Sequence, residues 1–275
     1  MAQEIWAGRS ILKRFFHEFF IRIVEDTKET RSFLSFSKTE KDQEPYAPQI
    51  LIFQGENGLG KTAAIAQCCT IVTDCGNESK IDVASIVIDF DDLFLKRSCV
   101  PSTARDLIES IFAQIQEKSS IEQYFVKYRE YSDKLAKVEA AINRLQQDEW
   151  PLEKPEVLSG DTGTTADQQY KDWLQKKLGH HDFDIFINNE KHRTEYFVKG
   201  LLDASVDIPF LLAFDSYEDI PAHLEVWLRR ELITRIYESR SRIITIVSGA
   251  GHFHVFSGMI FLKGCFTHSI FPMTH

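Results

Sequence analysis

Eight residues from Gly55 to Thr62 read Gly-Glu-Asn-Gly-Leu-Gly-Lys-Thr and match G-x-x-x-x-G-K-[ST] at every position. Each residue type has a chemical use there. Glycines let the backbone take conformations closed to other residues, so successive N–H groups turn inward on an anion. A helix beginning at the end of such a loop adds its positive N-terminus. Lys61 is a mobile point charge for the outer phosphates, and Thr62 offers a hydroxyl to Mg²⁺. The pattern predicts a nucleoside triphosphate bound through Gly55, Glu56, Asn57, Gly58, Leu59, Gly60, Lys61, Thr62 and Ala63. The bland alternative is a Gly-rich turn with a stray lysine. No D-x-x-G follows the second strand and no N-K-x-D occurs, which favours ATP (or ADP) over GTP.

A triphosphate site also needs a carboxylate at a neighbouring strand end to hold the Mg²⁺ water shell. Asp215 ends the apolar run PFLLAF, and Asp89 and Asp91 follow the earlier run SIVI. In the branch of P-loop NTPases that inserts a strand between phosphate loop and metal carboxylate, the ASCE type, the third strand carries the Asp, which selects Asp215 beside Thr62. Asp91 and Asp92 then read as helix-capping residues. Hydrolysis needs a group that orients water. Ser216 follows Asp215, so Glu218 is the next carboxylate; it either polarises water or sits as an acid in a first helical turn. Ser248, at the end of the fourth strand, is the candidate γ-phosphate sensor, or simply part of a strand-to-loop turn. Arg229, Arg230, Arg235, Arg240 and Arg242 offer an arginine finger in trans, or are solvated helix-face residues. His252, His254, Cys265 and His268 fit no standard zinc spacing.

These residues need elements to hold them. Apolar spacing predicts a helix over 11–25, then a loop over 26–48. Strands are expected at 49–54, 81–90, 208–214 and 242–247, with another near 268–271. Helices are expected at 62–72, 103–117, 120–147, 168–178, 190–204 and 223–238, and a surface loop at 151–168. The alternation implies an α/β fold with a parallel sheet flanked by helices; joined to the phosphate-loop motif, the expected class is a three-layer P-loop NTPase of the ASCE type. The block from 118 to 205 is long for one crossover, so it reads as an inserted helical subdomain within a single 1–275 nucleotide-binding domain. Within it Ile121, Phe125, Tyr128, Tyr131, Leu135, Val138, Ile142 and Leu145 step by mostly three and four. That stripe either folds onto its own domain or forms a partner-binding coiled coil.

The net charge of -9 makes a general nucleic-acid binder a poor fit. Five irregularly spaced cysteines do not resemble a disulfide framework, and reduced thiols suit the cytoplasm. No apolar run is long enough to span a bilayer, so no membrane partner is expected.

Several segments together resemble STAND-class signal-transduction ATPases, relatives of the AAA+ proteins. Trp6-Ala7-Gly8-Arg9 resembles their opening motif, GENGLGKT their Walker A, and LLAFDSYED a Walker B variant with a Glu three places after the Asp. WLRRELITRI followed by RIITIVSGAG resembles their helix and sensor strand, and LKGCFTHSIFPMT the stretch leading out of the core. The resemblance implies that Arg9 lies near the nucleotide. It departs from the family where Gly249, Ala250 and Gly251 stand in place of a sensor Arg, and where no helical lid follows. It implies a nucleotide-dependent switch or oligomerisation module in signalling or antiviral defence, with slow ATPase turnover. Self-association or a protein partner would then act through the helical insertion. The alternatives are a turnover-driven ATPase that remodels a protein or nucleic-acid partner, and an interaction module that never hydrolyses its nucleotide.

Overall fold

The computed structural model describes residues 10–33, 50–56, 58, 60–91, 103–116, 119–148, 165–239, 241–250 and 260–261. Arg9, Asn57, Leu59, Asp92, Arg240, residues 151–164, the four candidate zinc residues and the strand expected at 268–271 lie outside them.

Five strands form one sheet: β1 (Ile50–Gln54), β2 (Ala84–Asp89), β3 (Phe210–Asp215), β4 (Ile243–Gly249) and the two-residue β5 (Ile260–Phe261). Their order is β2-β3-β4-β1-β5 and every pairing is parallel. Parallel sheets are covered on both faces, which removes the polar alternation of a half-exposed strand. That is why β1, β3 and β4 read as unbroken apolar runs: every residue of β3 and β4 is buried, and all but the last of β1. Edge strand β2 alternates buried with half-buried residues instead. Its outer edge is closed at Val87, whose N–H donates to Gln114 (3.1 Å) and whose carbonyl accepts from it (2.6 Å).

Helices α1 (Ser10–Phe33), α2 (Lys61–Ser79) and α3 (Ala104–Gln116) complete the early part of this unit. Side chains alternate along a strand, so Leu51, Phe53, Leu211, Ala213, Ile244 and Ile246 share a face. They pack with Phe16, Phe20, Ile23 and Val24 of α1 and with Ala64, Ile65, Cys68, Ile71, Val72 and Cys75 of α2. Each Val, Leu, Ile and Phe among them contributes about 1.5–3 kcal/mol on burial. Helix α1 runs to Phe33, through residues expected to be a loop. The segment Asp26–Phe33 has no breaker, and a polar helical turn needs no apolar stripe.

Helix α2 begins one residue earlier and ends seven later than its apolar pattern suggested. Gly76 carries it on. A Cβ there would meet Val83 Cγ2 at 2.6 Å and the Ile81 carbonyl at 3.0 Å, so glycine lets the chain turn back toward β2. Residues 81–83 belong to that return, which shortens the strand expected from 81.

Residues Phe125–Phe197 form a second compact unit, and the rest of the chain the first. The second holds α4 (Val126–Asp148), α5 (Thr165–Ile187) and the start of α6 (Asn189–Ser205). Its block is narrower than the 118–205 expected, because 119–124 and 198–205 group with the sheet-bearing unit. Tyr131, Leu135, Val138 and Ile142 of α4 pack on Tyr170, Leu174 and Ile185 of α5. These four residues of the stripe are therefore covered inside the unit. Tyr131 donates to the Ile185 carbonyl at 3.1 Å, and burial pushes its phenol up to about 12. Gly179, at φ 77° and ψ 167°, breaks α5 into two helices.

Helix α7 covers 222–238 and joins β3 to β4, with a π-helical segment Leu228–Ile233 between two α-helical ones. Thr234 Oγ1 donates to the Arg229 carbonyl at 2.8 Å within it.

Replacing Gly76 by Ala is expected to destabilise the chain by about 1–3 kcal/mol, because the added methyl overpacks a backbone carbonyl and a core valine. Thermal denaturation followed by circular dichroism measures it. An unchanged or higher melting temperature would mean that the helix gain of about 1 kcal/mol over glycine dominates.

Candidate functional site

The parallel arrangement puts the carboxyl ends of β2, β3, β4 and β1 on one edge of the sheet. Register and alternation then decide which side chains meet. Asp89 is the partner of Asp215, Ser248 that of Phe53, and Gly249 that of Gln54. Asp89 shares the parity of Val87, Asp215 that of Ala213, and Ser248 that of Ile246, all of which pack on the face carrying α2. Asp89, Asp215 and Ser248 thus form a row on the side of the sheet where α2 begins. β4, bearing Ser248, lies between β1 and β3.

The loop leaving β1 starts with Gly55, whose N–H donates to the Gly249 carbonyl at 3.3 Å. Gly58 and Gly60 have φ of 83° and 74°, in the left-handed region that favours glycine. Gly60 is the N-cap of α2, and the Ala64 N–H closes the first turn on its carbonyl at 3.0 Å. Lys61 is buried, with Nζ donating to the carbonyls of Gly55 (2.8 Å) and Glu56 (3.1 Å). Those bonds curl the loop around its own ammonium group. Thr62 is exposed and Ala63 half-buried at the start of α2, while Glu56 is exposed.

Asp215 is 2% exposed. Its Oδ1 accepts from the Ser216 N–H at 3.0 Å. Oδ2 is buried with no hydrogen-bond partner among the described residues, and so is Ser248 Oγ. An unpartnered buried carboxylate oxygen costs free energy unless a ligand meets it. Among the described residues no three His, Cys, Asp or Glu side chains converge to hold a metal ion. Mg²⁺ does not require that, since it commonly takes one or two carboxylates together with substrate phosphates and water. Asp215 and Thr62 fit that donor set.

Ser216 was read in the sequence only as a missing glutamate, and its role is visible only in three dimensions. Its backbone is left-handed, at φ 53°, and its hydroxyl donates to Asp89 Oδ1 at 3.0 Å. The Asp91 N–H donates to the same oxygen at 3.0 Å. Tyr217 then packs edge-on against Phe90, which stacks on Phe214, and these rings pin the turn Tyr217–Asp219 to the ends of β2 and β3. Burial pushes the Tyr217 phenol up. Glu218 is exposed on that turn. Asp219 has its carboxyl raised above the usual range by partial desolvation, by a hydrogen bond with Asp91, and by the charges of Asp91, Glu218 and Asp89. Crowding of four acids was legible as D-x-D and E-D pairs, but their convergence needed the register of β2 on β3.

The arginines divide. Arg230 is exposed and Arg229 half-buried on α7. Arg235 pairs with Glu231 one turn back, and Arg242 donates to the Val206 carbonyl. The last two have partners within their own chain, and Arg229 lies close enough to Tyr217 to act on its phenol.

No protein-family model matches the chain and no curated protein matches it. What the site does is read from its own geometry.

Asp215→Asn keeps the acceptor at Oδ1 and removes the buried charge. In the presence of EDTA its unfolding free energy is expected to equal or exceed that of the wild type, by up to about 1–3 kcal/mol. Denaturant titration checks this, and a clear loss of stability would show that the charge is already compensated in the free protein.

Proposed function

We propose that the sheet-bearing unit is an ATP-binding core of the ASCE type of P-loop NTPase, and that the chain is a STAND-like, nucleotide-dependent switch or oligomerisation module with slow turnover. The observation that carries this reading is one juxtaposition. A glycine loop with a buried lysine leaves β1, and a buried carboxylate whose Oδ2 has no partner among the described residues ends the strand two places away, with β4 between them. Strand spacing of about 4.8 Å puts the two strand ends roughly 10 Å apart, which leaves room for phosphates and a hydrated cation. The strand order supports the inserted-strand branch.

In this reading the N–H groups of the loop and the first turn of α2 bind the β- and γ-phosphates, and Lys61 turns from its two carbonyls toward them. Mg²⁺ supplies charge neutralisation when bound, held by Thr62 and Asp215. Ser248 Oγ, buried without a partner among the described residues, is placed to answer the presence of the γ-phosphate. Among the described residues no helix is long and apolar enough to cross a membrane. Cys68, Cys69 and Cys75 are free thiols, which supports a reducing, cytoplasmic setting. Signalling or defence against phage are the roles that the resemblance favours.

Lys61→Ala is expected to weaken Mg·ATP binding about ten- to a hundredfold, from the loss of charge-assisted contacts of about 1.5–3 kcal/mol. Isothermal titration calorimetry on folded wild type and variant tests it, together with the mass of the wild type with and without ATP. Equal ATP affinity in the two proteins, or no affinity in either, overturns the nucleotide reading. An unchanged mass with ATP bound overturns the oligomerisation role alone.

A further inference from the structure

The nucleotide reading leaves the hydrolytic water without an obvious partner, because the residue after Asp215 is a serine and Glu218 is exposed on its turn. The structure supplies another carboxylate. Asp89 is in register with Asp215 on the adjacent strand, so their backbones lie about 4.8 Å apart. It is half-buried, on the same face of the sheet as Asp215, Ser248 and the start of α2. Glu218 by contrast belongs to the turn beyond the strand end.

Asp89 is also held. Both hydrogen bonds described for it, from Ser216 Oγ and from the Asp91 N–H, fall on Oδ1. Oδ2 is the oxygen left for a water molecule. The Ser216 hydroxyl can reach Asp89 because its backbone is left-handed, a conformation that costs a non-glycine residue about 1 kcal/mol or more. The Ser216 N–H, which lies in the peptide plane shared with Asp215, donates to Asp215 Oδ1. One residue therefore contacts two carboxylates of the row at once, Asp215 through its backbone and Asp89 through its side chain.

We propose that Asp89 is the carboxylate that orients and deprotonates the water attacking bound ATP, and that Ser216 is the positioning residue that holds it. This rests on the nucleotide reading above. The water oxygen forms a bond to the γ-phosphorus. The bond from that phosphorus to the β–γ bridging oxygen breaks, and its electron pair leaves with ADP. One water proton passes to Asp89 Oδ2 and then to solvent, which releases inorganic phosphate and restores the carboxylate.

The experiment is single-turnover hydrolysis of Mg·ATP by the full chain, read beside its ATP dissociation constant and melting temperature. Asp89→Asn keeps the oxygen that accepts from Ser216 and removes the base. Turnover is expected to fall about a hundredfold, within the range for loss of a general base, with the ATP dissociation constant changed less than about threefold. Ser216→Ala, which preserves every carboxylate, is expected to slow turnover about tenfold with binding again retained. Turnover in Asp89→Asn equal to that of the wild type overturns the assignment. So does a larger loss in Glu218→Gln than in Asp89→Asn, or a wild type that binds ATP and never cleaves it. Each of those leaves the nucleotide reading standing, whereas a wild type that binds no ATP overturns both.

Discussion

The buried ammonium of Lys61 is the constraint around which the sheet-bearing unit is arranged. A lysine taken out of water must be compensated, and here two loop carbonyls and no carboxylate compensate it among the hydrogen bonds described. An ammonium group has three donors, so two neutral acceptors leave it unfinished. The loop can wrap it this tightly only because Gly58 and Gly60 take positive φ. The loop can start where it does only because the Gly55 N–H is tied to the end of β4. That tie depends in turn on β4 pairing with β1 along five residues. Positive charge held without a carboxylate partner among the described residues, at a helix start, is what the proposed phosphate site rests on.

The helical unit answers a different requirement. Its helices α4 and α5 cover each other's apolar stripes, and Tyr131 finds a carbonyl for its hydroxyl. Phe125, Tyr128 and Phe197 gather where the chain enters and leaves, with centroids 5.6–5.7 Å apart. A unit that satisfies itself in this way can be inserted between β2 and β3 without disturbing their register. Its exposed large apolar side chains among the described residues are Val126, Ile187 and Tyr196.

The glycine loop, its strand, and Asp215 at the end of β3 were legible because their signals are local: a spaced motif, an apolar run and a terminal acid. Strand existence was legible for the same reason, since a strand buried on both faces must be apolar throughout. The ends of elements were not. Gly76 looks like a helix stop and is instead a packing necessity, and the polar end of α1 carries no stripe to extend a prediction. The role of Ser216 was hidden for a deeper reason. It lies in a bond between residues 127 positions apart, and no local pattern encodes a pairing of that kind.

In the proposed nucleotide reading, the acid row has a consequence for how a triphosphate would enter. Asp89, Asp91, Glu218 and Asp219 gather beside Asp215, on a chain whose net charge is already -9. Partial desolvation, and with it that crowding, raises the proton affinity of the Asp219 carboxyl. Like charges this close disfavour a further anion unless something positive arrives with it. Lys61 offsets one charge, at the β1 side of the edge. The remainder falls to the cation that accompanies the nucleotide, on the side where Asp215 Oδ2 has no partner among the described residues. In that reading cation and triphosphate would act as one ligand, since the carboxylates that repel the second are those that attract the first. A site balanced in this way is sensitive to the loss of a single phosphate, because cleavage changes the anionic charge and leaves the carboxylates as they were. That sensitivity is what a switch read by its bound nucleotide requires, and fast turnover is not needed to obtain it.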